Sequence, residues 1–489
     1  MDQEKPTTVR VSPATSLSEQ SRLEPPGPLP RHDSDTLTAQ VTPVSHQEQN
    51  YDVESPPFFT EGIFSRDPST RRARALHLKI LSLACVLIIL CILSVLSIYW
   101  GSLWSPTNHV HNLNGYVVDF DGGQIGAFVT QAVMNSTGQP TQMSWSVVSP
   151  SLYPNGQNDL VDAVVDEKAW VIVAINAGAS SNLNSAATSA DESYNGPLAV
   201  TVYVEEARNE NAYRTIIRPL VQDLMQNAFQ RFDVQFTRQL VATNVNITNL
   251  AANAPNVLLQ PAFYTLYNTR PFDFPVAAAV DYVGLIYLLI LSFMFTMFNQ
   301  SGRTEASHLQ DRLALGPLVV YRAFIPIIAY FFISCFYSLL SVAFQLPFDR
   351  VYGHGGFVIY WMMSWLGMCA LGMAVEAMVT ILTVRFIAFF LIIWLIANVS
   401  VCFFPIPLLP GVFRYGYATP FYNVQRAVRT IVFGTKNQLG LNFGVQLAWI
   451  AVSLITMSAL QTLQRRKAIR ARRREWEHGA EGAEGAKTG

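Results

Sequence analysis

Glu376 is the one acidic side chain set deep inside a long apolar run of this chain, and Arg322 lies at a matching depth in another run. An ionised side chain in hydrocarbon is costly and turns toward other protein groups, so the two are expected to form an intramembrane polar pair. Two chemistries stay open for Glu376. It is a proton- or substrate-linked site, or it is a structural ion pair whose carboxylate reaches toward the interface. Asp281, near the end of a different apolar run, is expected at an interface.

Other chemistry-bearing residues are sparse. Asn135-Ser-Thr137 and Asn246-Ile-Thr248 are glycosylation sequons in the long tract, whereas a further match, Asn398-Val-Ser400, falls inside an apolar run where no transferase reaches it. Asp119 and Asp121 flank Phe120 before a Gly pair and read as a turn. His109 and His111 read as solvated. The chain has no G-x-x-x-x-G-K-[ST] phosphate loop, no H-E-x-x-H and no C-x-x-C. Its five cysteines, at 85, 91, 335, 369 and 402, all fall in apolar runs and are expected to pack as small apolar residues. No catalytic constellation is visible. The expectation is a protein that is not an enzyme and needs no cofactor or metal.

The elements that must position these residues are six apolar stretches, at 80–99, 277–298, 318–344, 357–382, 386–404 and 443–463. Each approaches the ~20 residues that span a ~30 Å hydrocarbon layer. Half the residues are hydrophobic and only 14% are charged, against about 25% in soluble domains. The expected fold class is therefore membrane α-helical. Six transmembrane helices stand in a 1+5 arrangement, with a small α/β extracytoplasmic domain, residues 101–276, between the first and the second. The segment 383–385 is so short that the fourth and fifth helices must be antiparallel neighbours. Gly367, Gly372, Ala370 and Ala374 predict close helix packing in the fourth.

Basic residues set the orientation. Fifteen Lys and Arg flank the spans on the side of the termini, from Arg66 to Arg474, against five in the short loops of the other side. The excess predicts cytosolic termini, and both usable sequons then fall outside. Residues 1–65, rich in Pro, Ser, Thr and Gln, read as a disordered cytosolic tail. Residues 464–489 read as a basic and then flexible tail. The basic cluster of this tail, directly after a span, points to anionic lipid and not to nucleic acid.

Inside the outer domain, Tyr116–Phe120, Ser144–Val148, Trp170–Ile175 and Leu198–Val204 are strand candidates. Ile125–Met134 is a helix, Asn158 is placed as the cap of a helix through Asp166, and Asn211–Val241 carries a long amphipathic pattern. Asn299–Leu315 reads as a polar loop. Residues 421–433 form an amphipathic helix with Phe421, Val424, Val428, Ile431 and Val432 on one face and a basic face of Arg426 and Arg429. It lies at the outer interface or packs beneath the outer domain. The basic face then meets lipid phosphates or acidic protein groups.

Several runs carry a resemblance. Tyr116-Val-Val-Asp-Phe-Asp121, Ala169-Trp-Val-Ile-Val173, Tyr203-Val-Glu-Glu-Ala-Arg-Asn209, Tyr417-Ala-Thr-Pro-Phe-Tyr-Asn423 and Phe433-Gly-Thr435 follow one another in a chain of this layout. Together they resemble the fungal nitrosoguanidine-resistance membrane proteins over about residues 75–465. That family in turn is similar to the membrane domains of type-2 ABC exporters and to the phage-infection-protein group. The resemblance implies tolerance to toxic compounds, through export or through lipid organisation or translocation in the plasma membrane. It implies membrane lipids as partners, a toxic small molecule or phospholipid as substrate, and a separate ATPase or a second copy of the chain. It supplies no catalytic residues. The competing reading is a non-transporting scaffold or receptor whose outer domain binds a partner.

Overall fold

The computed structural model describes residues 64–243 and 245–485, without the side chains of 477–485. The tail expected at 1–65 lies, up to residue 63, outside the described residues. The chain divides into two units, Met1–Arg74 and Ala75–Gly489. In the first, Asp67 caps a helix start by accepting from the backbone N–H groups of Ser69 (2.9 Å) and Thr70 (3.1 Å).

In the second unit, a five-stranded sheet runs in the order β2-β1-β3-β4-β5. The strands are β1 Asn114–Asp119, β2 Ser144–Val148, β3 Val171–Ile175, β4 Val200–Val204 and β5 Tyr264–Asn268. All pairs are parallel except β3 with β4. Every residue of β3 is buried, as its unbroken apolar sequence requires of a central strand covered on both faces. Val171, Val173 and Ile175 face helices Gln124–Met134, Ala179–Ser189 and Arg218–Ala242. Ile172 and Ala174 face helix Gln157–Val165 through Leu160, Ala163 and Val164. That last helix starts from Gly156, at φ 60°, and not from Asn158 as expected; Asp159 instead accepts from the backbone N–H of Asn155 at 2.8 Å. Pro219 follows directly on the π-turn Tyr213–Ile217, inside a helical run that starts at Glu210.

Among the described residues, five helices are long and apolar enough to cross a membrane: Pro68–Leu103, Pro275–Ala306, Leu315–Ala343, Gly355–Val399 and Leu439–Trp476. The fourth is 45 residues long and breaks at Thr383, whose backbone (φ 60°, ψ 170°) is not helical. Two contacts fix what the break does. A Cβ on Gly367 would lie 3.1 Å from Val424, and Asn398 Oδ1 accepts from the backbone N–H of Phe421 at 3.2 Å. A continuous helix would hold Gly367 and Asn398 about 46 Å apart, yet both meet neighbouring turns of one short helix. The chain therefore doubles back at Thr383.

That short helix, Pro420–Phe433, is buried at every residue but Tyr422. The lipid-interface placement of 421–433 is thus corrected. Bundle helices close on the apolar face, and the sheet domain, the expected outer domain, covers the basic face. The last helix runs unbroken from Leu439 to Gly485, and of the end expected to be flexible residues 486–489 lie outside the described residues. Gln, Arg, Lys, Ala and Glu are all strong helix formers, and a helix already nucleated in the preceding span extends through them.

Candidate functional site

Polar side chains gather in two places. The first lies where the helices Pro275–Ala306 and Leu315–Ala343 and the two halves of Gly355–Val399 meet near Thr383. Glu376 Oε1 is 2.6 Å from Arg322 Nε. It is also 3.0 Å from Arg303 Nη2. Arg322 Nη2 donates to the Glu376 carbonyl (2.7 Å) and to Thr380 Oγ1 (2.9 Å), and Nη1 reaches Gln461. Arg303 also donates to Gln300 and Gln310. The sequence reading places Arg303 in a polar loop. The structure corrects this, because Gly302–Ala306 continues the span as a π-turn that carries Arg303 inward, where it is 1% exposed.

Two guanidinium groups thus share one carboxylate, which leaves a buried charge of +1. One helix end offsets part of it. The first half of Gly355–Val399 ends at Thr383, and its C-terminus carries roughly half a negative charge. Arg322 draws on the Glu376 carbonyl and Gln464 Nε2 caps that of Thr380.

The second cluster forms the seam between the outer domain and the bundle. Arg429 Nη2 stands 2.6 Å from Glu210 Oε2 and 2.9 Å from Asp281 Oδ2, close as charges although not aligned as hydrogen bonds. Arg429 Nη1 donates to the Ala207 carbonyl at 3.1 Å. Arg426 pairs with Glu167, which is also 3.8 Å from Arg208. The guanidinium carbon of Arg208 stands over the Trp170 ring, 3.4 Å from its centroid. The acidic protein groups, and not lipid phosphates, therefore meet the basic face of Arg426 and Arg429. Asp281 is fully buried and not interfacial, because its carboxylate is the partner that Arg429 needs.

Burial opposes ionisation of Glu167, but the neighbouring Arg208 and Arg426 outweigh it and hold the carboxyl below its usual range. Glu205 differs. It is buried, neither of its oxygens has a hydrogen-bond partner, and burial pushes its carboxyl up to about 8 despite Arg208 nearby. A cavity of about 90 Å³ lies in the seam, lined by Trp170, Arg208, Tyr417, Tyr422 and Arg426 among others. Four of the five runs that carry the family resemblance converge here. They supply Trp170, Glu205 to Asn209, Tyr417 to Asn423, and Gly434, whose carbonyl accepts from Arg270 Nε at 3.0 Å. That clustering is the one sequence signal that could have located Glu205 and Arg208 before the structure did.

At the same end of the bundle an apolar cavity of about 220 Å³ opens between Pro275–Ala306 and Leu315–Ala343. Val276, Ala279, Val280, Tyr287, Tyr337 and Leu340 line it. The π-turn Ala279–Val283 is shared, with Ala279 and Val280 in the cavity wall and Asp281 in the seam.

The remaining predicted residues stand apart from both clusters. Asn135 and Asn246 are exposed on the outer domain. Asn398 is buried and bonded to Phe421 and Trp394. Asp119 and Asp121 cap turns, accepting from the N–H groups of Gly122 (3.0 Å) and Ser180 (2.9 Å). Among the described residues no group of three or more His, Cys, Asp or Glu could hold a metal ion.

Comparison with known proteins gives three findings. A family model described as "Protein of unknown function (DUF3533)" matches residues 84–455. An uncharacterized endoplasmic reticulum membrane protein of Saccharomyces cerevisiae is 26% identical over 454 residues, covering 87% of each chain. No solved structure matches.

Proposed function

The chain belongs to the family of unknown function DUF3533, and from that premise we propose a six-pass membrane protein that handles lipids or lipid-like toxic molecules in the leaflet beside its outer domain. The observation that carries this reading is the apolar cavity between Pro275–Ala306 and Leu315–Ala343. In the proposed topology it would stand level with the leaflet beside the outer domain, and its lining suits hydrocarbon. The six crossings rest on the reversal at Thr383, which makes two passes of the fourth long helix. The basic excess flanking the termini supports a cytosolic place for both. The yeast relative's name sets that protein in the endoplasmic reticulum membrane. For this chain we propose a membrane of the secretory pathway, entered through that compartment and extending to the plasma membrane.

Tolerance to toxic compounds follows if such molecules enter the same cavity. The resemblance to type-2 exporter membrane domains adds a separate ATPase as partner. Its place would be the exposed side chains Glu305, Asp311 and Arg312 of the segment after the second span. We assign no catalysis to the chain.

The test is cross-linking with a photoactivatable phospholipid in membranes that hold the full chain. Label is expected on the cavity helices, and Ala279→Trp or Leu340→Trp, which fill the space, should remove it. Labelling that these substitutions leave unchanged would refute the site. A scaffold is the second reading. It is favoured by the pairing of Glu376 with Arg322 and Arg303 and of Asp281 with Arg429, which commits the ionised groups within the spans to holding the bundle. Equal toxin accumulation in cells with and without the protein would favour it over export.

A further inference from the structure

Asn135 is the C-cap of helix Gln124–Met134, and its exposed side chain stands at the edge of a groove of about 370 Å³. The opposite wall is one face of helix Arg218–Ala242. Asp223, Asn227 and Arg231 lie on it at four-residue steps, which places them one above another along that face. Gln139 and Gln142 close the near side, and Ala132, Leu224 and Ala228 form an apolar floor. A hexopyranose presents the matching surfaces, with C–H groups on its ring face and hydroxyl and acetamido groups around its edge. Amide, carboxylate and guanidinium side chains above small apolar ones are the complement of such a ring.

We propose that Asn135 carries an N-linked glycan whose first sugars are seated in this groove. The attachment balances without redox chemistry. Asn135 Nδ2 displaces the diphosphate of a lipid-linked oligosaccharide at the anomeric carbon, so that an N–C bond forms, a C–O bond breaks and one proton leaves the amide. The inference rests on the topology proposed above, which puts the outer domain in the compartment where that donor is used. The second sequon is an internal control. Asn246 is exposed at the start of helix Ile247–Asn253, where its Oδ1 accepts from the backbone N–H of Asn249 at 2.9 Å, and it is not among the groove residues.

The experiment uses the full chain expressed in a glycosylating cell, with Asn135→Gln and Asn246→Gln variants that each leave one of the two outer-domain sequons. Peptide N-glycanase is applied to folded, detergent-solubilised protein and to denatured protein. Both sequons are expected to carry sugar. In the folded protein the Asn135 glycan should be released about tenfold more slowly than that on Asn246, the factor that about 1.4 kcal/mol of contact supplies. Denaturation should equalise the rates. So should Asp223→Ala with Arg231→Ala, at unchanged thermal stability. Equal rates in the folded wild-type protein would overturn the seat, and so would sugar on Asn246 with Asn135 bare. Sugar on neither residue would overturn the topology together with this inference.

Discussion

Replacing Glu376 by Gln keeps the shape of the side chain and removes the only negative charge between Arg303 and Arg322. The wild-type cluster carries +1, and the variant would carry +2 in a space where all three side chains are almost fully buried. At an effective dielectric of 20, each ion pair, at 2.6 and 3.0 Å, is a Coulomb attraction of roughly 5–6 kcal/mol. Desolvation of the ions cancels much of that in the intact cluster. Once the carboxylate is gone, the desolvation cost stays and the attraction does not, which is why breaking a buried pair costs about 3–5 kcal/mol. Arg303→Met runs the other way. It leaves the neutral pair Arg322–Glu376, so its effect is small or stabilising. Combined with Glu376→Gln it returns the charge to +1 and should recover part of the loss. The assay is the thermal midpoint of the full chain in detergent, read by the fraction that remains monodisperse, for the wild type, both single variants and the double variant. Arg303→Met as damaging as Glu376→Gln would refute the charge argument. A Glu376→Gln protein with the wild-type midpoint but without toxin tolerance would refute the structural role and return Glu376 to proton coupling.

At the seam, Glu205 has a folded-state pKa of about 8 against an ordinary 4.5, so between those values the folded chain binds more protons than the unfolded one. Stability from this group is full below about pH 4.5 and falls toward pH 8, by at most about 1.4 kcal/mol per pH unit. Arg208, Glu167, Arg426 and Arg270 act on it, and none of them is changed in Glu205→Gln. That variant should flatten the pH 5–8 dependence of the thermal midpoint; an unaltered slope would sink the assignment. Arg429→Met leaves Glu210 and Asp281 buried without their cation and should cost about 3–5 kcal/mol. Adding Asp281→Asn should restore part of it, read as protection of the outer domain from trypsin. Gly372→Val sets a Cβ 2.3 Å from the Tyr330 hydroxyl, so helices Leu315–Ala343 and Gly355–Val399 must separate at about 1–3 kcal/mol, seen as a lower midpoint in detergent.

Legibility in the sequence follows the contrast between a residue and its surroundings. Val171–Ile175 stands out because five apolar residues in a row have one explanation in a small domain, burial on both faces. Glu376 and Arg322 stand out because an ionised group in an apolar run must find a partner. Arg303 does not, since Asn299–Leu315 is polar throughout and only the π-turn at Gly302–Ala306 turns that one side chain inward. Strand β5 is an edge strand with alternate residues half-exposed, and helix Ala179–Ser189 is made of Ala, Ser, Asn and Thr around a single Leu. Neither has an apolar period strong enough to see. The seam is the extreme case. Glu167, the run holding Glu205 and Glu210, Asp281 and Arg429 are far apart in the chain, and each residue is ordinary where it stands. Only the folded outer domain, set over Pro420–Phe433, makes them one cluster.

The same arrangement explains how the outer domain and the membrane part act on each other. Asp281 and Val280 are consecutive residues of one π-turn, which directs them to different sides. Val280 forms wall for the apolar cavity, and Asp281 holds Arg429, which in turn holds Glu210 at the start of the segment leading into Arg218–Ala242. A π-turn carries an extra residue per turn and is a frequent feature of functional sites. Anything that enters the cavity and shifts this turn must therefore either move Asp281 within its ion pair or be resisted by it. Because the pair is buried, its geometry is stiff and the resistance is large. If the cavity admits lipid as proposed, the seam limits how far it opens. Weakening Arg429 should change what the cavity admits without altering a single residue that lines it.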